Sequence, residues 1–203
     1  MRIVPFACLL IAGLSAGCGH VPLTSLPKLA KIDVRSTDLS QLRAGISLPA
    51  GIRPLPGGIT LTIIALPKAG GRHERKVVLE EVHDAAELAS VPTLVAPGRL
   101  FTLFKLNSGD VAQLGAFREE MFAGPQNDGN RGSLSLGADK ACRTGELSGK
   151  PITMTGYLRT SETRDYVLLM KDFDLSAAAR AIDPKIDLAT AIPPCDALPK
   201  QHS

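Results

Sequence analysis

The chain has no tryptophan, only two Tyr and six Phe among 203 residues, and just four cysteines. With so few aromatics, a core has to be filled by Leu, Val, Ile and Ala. The hydrophobic fraction of 44% is enough to supply one. There is no strong charge of one sign: 23 Lys and Arg stand against 20 Asp and Glu, a net charge of +3. Lys and Arg are not clustered among aromatics, so a nucleic-acid-binding face is not expected. The densest basic stretch, GGRHERK (Gly70 to Lys76), is flanked by glycines and reads as the solvated tip of a hairpin.

Also missing are the residue sets that announce catalysis. No G-x-S-x-G is present, so a serine nucleophile on a strand-to-helix elbow is unsupported. SLPK (Ser25 to Lys28) matches S-x-x-K, but Pro27 opposes the helix that would set the lysine beside the serine, and neither S-D-N nor K-T-G follows. LPGG and AGGR lack the lysine of a phosphate-cradling loop. NDGN (Asn127 to Asn130) lacks the alternating acids and terminal Glu of a calcium loop. Glu80-Glu81 and Glu119-Glu120 are sequence neighbours, and neighbours point apart on a helix or a strand, which disqualifies them as acid/base pairs. The four histidines are dispersed. Only LEEVHDAAE brings ligand types together, and on a helix Glu80, His83 and Glu87 would share a face. Zinc would need further ligands in a shaped cavity, so the cluster is carried as a weak candidate and otherwise as a solvated charged edge. No cofactor is implied, and the chain is expected not to be an enzyme.

What the chain does have is a marked beginning. Arg2 is followed by IVPFACLLIAGL, an uncharged run of twelve residues. As a helix this run is about 18 Å long, short of the roughly 20 residues that a membrane span needs. A basic start, a short apolar run and small residues before a cut site describe a secretory signal. It ends in LSAGCGH (Leu14 to His20), and LSAGC resembles the lipobox of bacterial lipoproteins, with Ser15 in place of the more usual aliphatic residue. The resemblance covers only the first 20 or so residues. It implies cleavage before Cys18, a diacylglyceryl group on the Cys18 thiol, and three acyl chains, palmitate among them, anchoring the mature protein. Two chains already suffice for stable attachment. Gly19, where an Asp would favour the inner membrane, points to the outer membrane on its periplasmic side. The membrane is therefore the expected partner through Cys18, with an envelope protein as a possible second. GYLRTSETRDYVLLMKDFDL is similar to a hairpin of uncharacterised bacterial lipoproteins, which implies no activity.

Removing Cys8 with the signal and Cys18 with the lipid leaves Cys142 and Cys195. A pair in an oxidising compartment most simply forms a disulfide. Closing about 54 residues, it is worth roughly 4 kcal/mol in the chain-entropy picture. The expected organisation is a signal peptide over 1–17, a lipidated tether over 18–31, a globular domain over 32–182, and a Pro-containing tail over 183–203 tied back by the disulfide.

Within the domain the patterns are mostly those of strands. Ile59, Leu61 and Ile63 alternate with Thr60 and Thr62 after a turn at Pro54, Pro56 and Gly57-Gly58. AGISLP, the stretch Val77 to Val82, Arg99 to Leu106, SLSLGAD, and the two arms around the turn Thr160 to Arg164 read the same way. STDLSQLR carries cap candidates Ser36, Thr37 and Asp38 before a helical turn. The best helix runs from Asn107 or Ser108 to Gly124-Pro125, with Val111, Leu114, Phe117 and Met121 on one face. About seven short strands with polar turns predict a mainly β fold: an antiparallel, immunoglobulin-like β-sandwich with one inserted amphipathic helix. The alternative is an α+β domain with the helix laid on an antiparallel sheet. Three roles remain open: a structural or protein-binding envelope lipoprotein, a small-ligand binder with its pocket between the sandwich and the helix Ser108 to Ala123, and an enzyme of unrecognised type.

Overall fold

In the computed structural model, residues 22–89, 91, 96–147 and 151–198 are described. The expected signal peptide and Cys18 lie outside them. The described chain is mainly β: ten strands, all in antiparallel sheets, with few helices.

The larger sheet has five strands in the order β10 (Val167–Asp174), β9 (Thr153–Arg159), β1 (Arg43–Pro49), β6 (Arg99–Lys105) and β5 (Glu80–Glu81). The smaller has three, β4 (His73–Val78), β3 (Ile59–Leu66) and β7 (Arg131–Ala138). A two-stranded ribbon joins β2 (Ile52–Pro54) to β8 (Ala141–Arg143). The chain passes from β4 into β5 across Leu79 alone, so one extended stretch changes sheets at a corner.

Both sheets bury one face in a single core. Ala44, Ile46 and Leu48 of β1 and Met154 and Leu158 of β9 enter it from one side. Ile59, Leu61, Ile63 and Ala65 of β3 and Leu136 of β7 enter from the other. These are the period-2 positions, because alternate strand residues share a face. The central strands β1 and β3 are also largely covered on their second face, so Ser47 and Thr60 are buried as well. On the second face of β1, Gly45 lies beneath the Phe101–Tyr157 ring pair, whose centroids are 5.9 Å apart. A Cβ there would meet Phe101 at 2.5 Å, so only glycine fits without a shift. Arg99 ties the same face together. Its Nε donates to Ser47 Oγ at 2.9 Å, and its Nη2 donates to the Ser47 and Thr153 carbonyls at 2.7 and 3.1 Å.

The helices are α1 (Leu26–Leu29), α2 (Ala85–Ala89), α3 (Ser108–Phe122), α4 (Leu175–Ile182) and α5 (Leu188–Ala191). The expected inserted helix is α3, in the connection from the larger sheet to the smaller. Asn107 caps it, its side chain accepting from Asp110 N–H at 2.8 Å. Leu114 and Phe117 are buried, with Val111 and Met121 packed beside them. Arg75 of β4 stands over the Phe117 ring at 5.9 Å. The sharper division into apolar and polar sides belongs to α4 rather than α3.

Of the expected tether over 18–31, the described part is helical from Leu23: a 3-10 turn, Leu23–Ser25, runs into α1, and Ser25 is only 6% exposed. Lys28 Nζ reaches Asp165 of the β9–β10 turn at 3.7 Å. The basic GGRHERK stretch is only in part a turn. Gly70 and Gly71 have positive φ, while His73 to Lys76 already pair with β3, from Ala65↔His73 onward. NDGN is a built cap: Asn127 Nδ2 donates to the Glu120 and Ala123 carbonyls, and Asn130 Nδ2 donates to the Met121 carbonyl at the end of α3.

Candidate functional site

Cys142 and Cys195 are joined, with Cα atoms 4.9 Å apart. The bond holds the tail against β8, and neighbouring polar contacts reinforce it. Arg143 N–H donates to the Pro193 carbonyl at 2.9 Å, and Arg143 Nε donates to the Ile192 carbonyl at 3.1 Å. The tail is less extended than its prolines imply: Asp187 caps α5 by accepting from Ala189 N–H, and Cys195–Ala197 form a 3-10 turn. Asp174 caps α4 in the same way, accepting from Ala177 N–H at 2.8 Å.

Together α4, α5 and β8 build a corner with two concavities. One is an open cleft of about 640 Å³ whose polar lining includes Arg143, Glu146, Ser176, Arg180, Asp187 and Thr190. The other is an apolar cavity of about 250 Å³ between the sheets and the two helices, with Ile52, Ile152, Leu175, Ile182, Leu188 and Ile192 among its walls. Ile182 closes α4 and is 87% exposed, so an apolar side chain stands in solvent at the cavity rim. An apolar wall with few polar groups suits a partner's side chain or an apolar ligand.

The pocket expected beside α3 differs in character from the apolar cavity at the corner. Against that helix lies a hollow of about 250 Å³ lined by Arg35, Gly115, Arg118, Glu119, Phe122 and Ala123. Its polar lining follows from α3 spending its Leu114 and Phe117 face on the core, which leaves charged residues at the rim.

The polar cluster does not assemble. Glu80 lies in β5 opposite Lys105, His83 is exposed in the following turn, and α2 starts only at Ala85. The helical spacing that would have aligned Glu80, His83 and Glu87 therefore does not exist. Glu87 turns instead to Arg43: Nε and Nη2 donate to its two carboxylate oxygens at 2.8 and 2.9 Å. Those bonds from Arg43 hold the Glu87 carboxyl below its ordinary value of 4.5, against the opposing effect of its partial burial. Among the described residues no group of three or more His, Cys, Asp or Glu is placed to hold a metal ion. The S-x-x-K pair is equally unassembled, with Ser25 buried and Lys28 turned to Asp165.

No family model matches the chain, and no curated protein or solved structure matches it.

Proposed function

We propose that the chain is a lipid-anchored lipoprotein of the cell envelope, held through Cys18 in the outer membrane and facing the periplasm, and that it works by binding another envelope protein rather than by catalysis. The observation that carries this reading is LSAGC at the end of a short apolar run. The Cys142–Cys195 disulfide fits an oxidising compartment. Two antiparallel sheets sharing one core fit the immunoglobulin-like sandwich expected of such a module, a rigid body well suited to presenting a contact surface. The surface we assign to the partner is the α4–α5 corner, where Ile182 stands exposed beside the apolar cavity.

The anchor is tested by mass spectrometry of the N-terminus extracted from membranes, beside a Cys18→Ala variant. A diacylglyceryl-modified Cys18 is expected; an unmodified soluble product from the native sequence overturns the reading. The partner is tested by a photo-crosslinking residue placed at Ile182. One stoichiometric adduct is expected, and its repeated absence with no phenotype on deletion removes the binding role.

The apolar cavity also favours a second reading, a small apolar ligand held at that corner. A ligand bound there must raise the thermal stability of the protein, so a flat thermal-shift screen disposes of it.

A further inference from the structure

One end of the larger sheet collects positive charge that the fold does not balance. Strand register sets Arg159 opposite Arg43, Arg43 opposite Lys105, and Lys105 opposite Glu80. Directly opposed side chains on one sheet face have Cβ atoms about 5 Å apart, where like charges repel. Glu87 neutralises the middle of the row by binding Arg43, and it is near enough to influence Lys105 and Arg159 as well. Arg43 is further occupied by the Ser40 and Leu42 carbonyls. Arg159 has the face of Tyr166 at 5.2 Å, but among the described residues no carboxylate bonds to it. The Tyr166 hydroxyl beneath is buried without a hydrogen-bond partner among them.

Beside this row is a hollow of about 630 Å³, lined by Arg43, Arg159 and Arg164 with the hydroxyl-bearing Ser40, Thr160 and Ser161, and by no carboxylate. The surrounding acids are turned to other partners. Asp38 accepts from Ser40 and Gln41, Glu162 accepts from Thr37 Oγ1, and Asp165 faces Lys28. Ser161 Oγ accepts from Asp38 N–H at 3.3 Å, and its own O–H, like that of Thr160, is directed to the Glu162 carboxylate. The planar guanidinium forks of Arg159 and Arg164, which no carboxylate pairs among the described residues, suit a phosphate's oxygens.

We propose that this hollow is a binding site for a phosphate group. Two sources share that chemistry, an anionic phospholipid headgroup and a free phosphate. The headgroup rests on the anchored reading above: Cys18 precedes Pro22 by four residues, at most about 14 Å of chain, and the Pro22 to Leu29 turns pack near the β9–β10 turn that carries Arg164. An anchored domain would then hold this end of the sheet at the level of the headgroups.

The test uses the full chain purified in neutral detergent, titrated calorimetrically with three probes: inorganic phosphate, dihexanoyl phosphatidylglycerol and dihexanoyl phosphatidylcholine. Saturable binding of phosphate, of the glycerol lipid or of both is expected, weakened at least ~10-fold in the Arg159→Gln/Arg164→Gln double variant and partly restored by Arg159→Lys/Arg164→Lys. Response to the glycerol lipid alone assigns a headgroup, and response to inorganic phosphate assigns a free phosphate. Arg159→Gln removes a like charge opposed to Arg43 and Arg164 is exposed in a turn, so the double variant should be as thermally stable as the parent and loss of binding will not be loss of fold. No saturable binding by any probe, binding of the choline lipid alone, or binding indifferent to the double substitution overturns the site. The mass of the N-terminus reports the anchor separately, so a failed anchor and a failed site are distinguishable.

Discussion

The centre of the molecule and its C-terminal corner are held together by different means. In the centre, β1 and β3 are covered on both faces and their apolar positions are almost completely withdrawn from water. Each buried Leu or Ile there contributes about 1.5–3 kcal/mol, and no covalent link is needed. At the corner, α4 and α5 are short, and no apolar side chain of either is fully buried. Side-chain caps, carbonyl contacts from Arg143 and the Cys142–Cys195 bond hold it instead. Regions of low apolar burial open first, and the surface we assign to binding is in the region secured by a crosslink rather than by packing.

The comparison can be broken most severely at the centre. Leu61→Ala, in the middle of β3, should cost about 2–5 kcal/mol, read as a fall in the denaturant midpoint. A cost below 1 kcal/mol would mean the sheets do not share a packed core. Removing the disulfide by Cys142→Ala with Cys195→Ala should cost about 2–4 kcal/mol. Hydrogen exchange should quicken first in residues 188–198; uniform quickening across both sheets would show that the corner is not an independent unit.

A smaller effect is expected at Arg43→Gln, about 1–2 kcal/mol at neutral pH, because the carboxylate is nearly a third exposed and solvent screens the pair. The Glu87 carboxyl titrates below its ordinary 4.5 in the folded protein, so its contribution is present above that value and is lost as pH falls through the lower folded one. The stability gap between parent and variant should therefore close on acidification below about pH 4.5. A gap constant from pH 7 to 3 would show that charge pairing is not its source. Asp174→Ala, removing the cap of α4, should cost about 1 kcal/mol, again with the loss confined to the corner. Smallest of all, Ile182→Ser should change stability by less than about 0.5 kcal/mol while abolishing partner capture at the corner. A stability loss above 1 kcal/mol would instead place Ile182 in the core.

Much of the centre was legible because its patterns are local. Alternation at Ile59, Leu61 and Ile63 becomes β3, the apolar run from Arg99 becomes β6, and the arms around Thr160 to Arg164 become the β9–β10 hairpin. Asn107 and the Leu114/Phe117 spacing mark α3. The ribbon of β2 and β8 was not legible, since three residues are too few to show a period. The α4–α5 corner was missed as a site because its cavity is built by side chains from β1, β2, β8 and both helices. The weak Glu80, His83 and Glu87 candidate needs a helix through all three, and the helix begins only at Ala85.

By itself, then, the sequence determined the kinds of element, the positions that enter the core, and the two cysteines left to pair beyond the lipobox-like start. These depend on residue type at short spacing, which side-chain periodicity converts directly into faces. Only the tertiary structure decided that Arg43, Arg159 and Lys105 stand in one row, that Glu87 binds Arg43, and that the apolar cavity lies under α4 rather than α3. Those neighbours come from strand register and from the way two sheets close, and both join residues far apart in the chain.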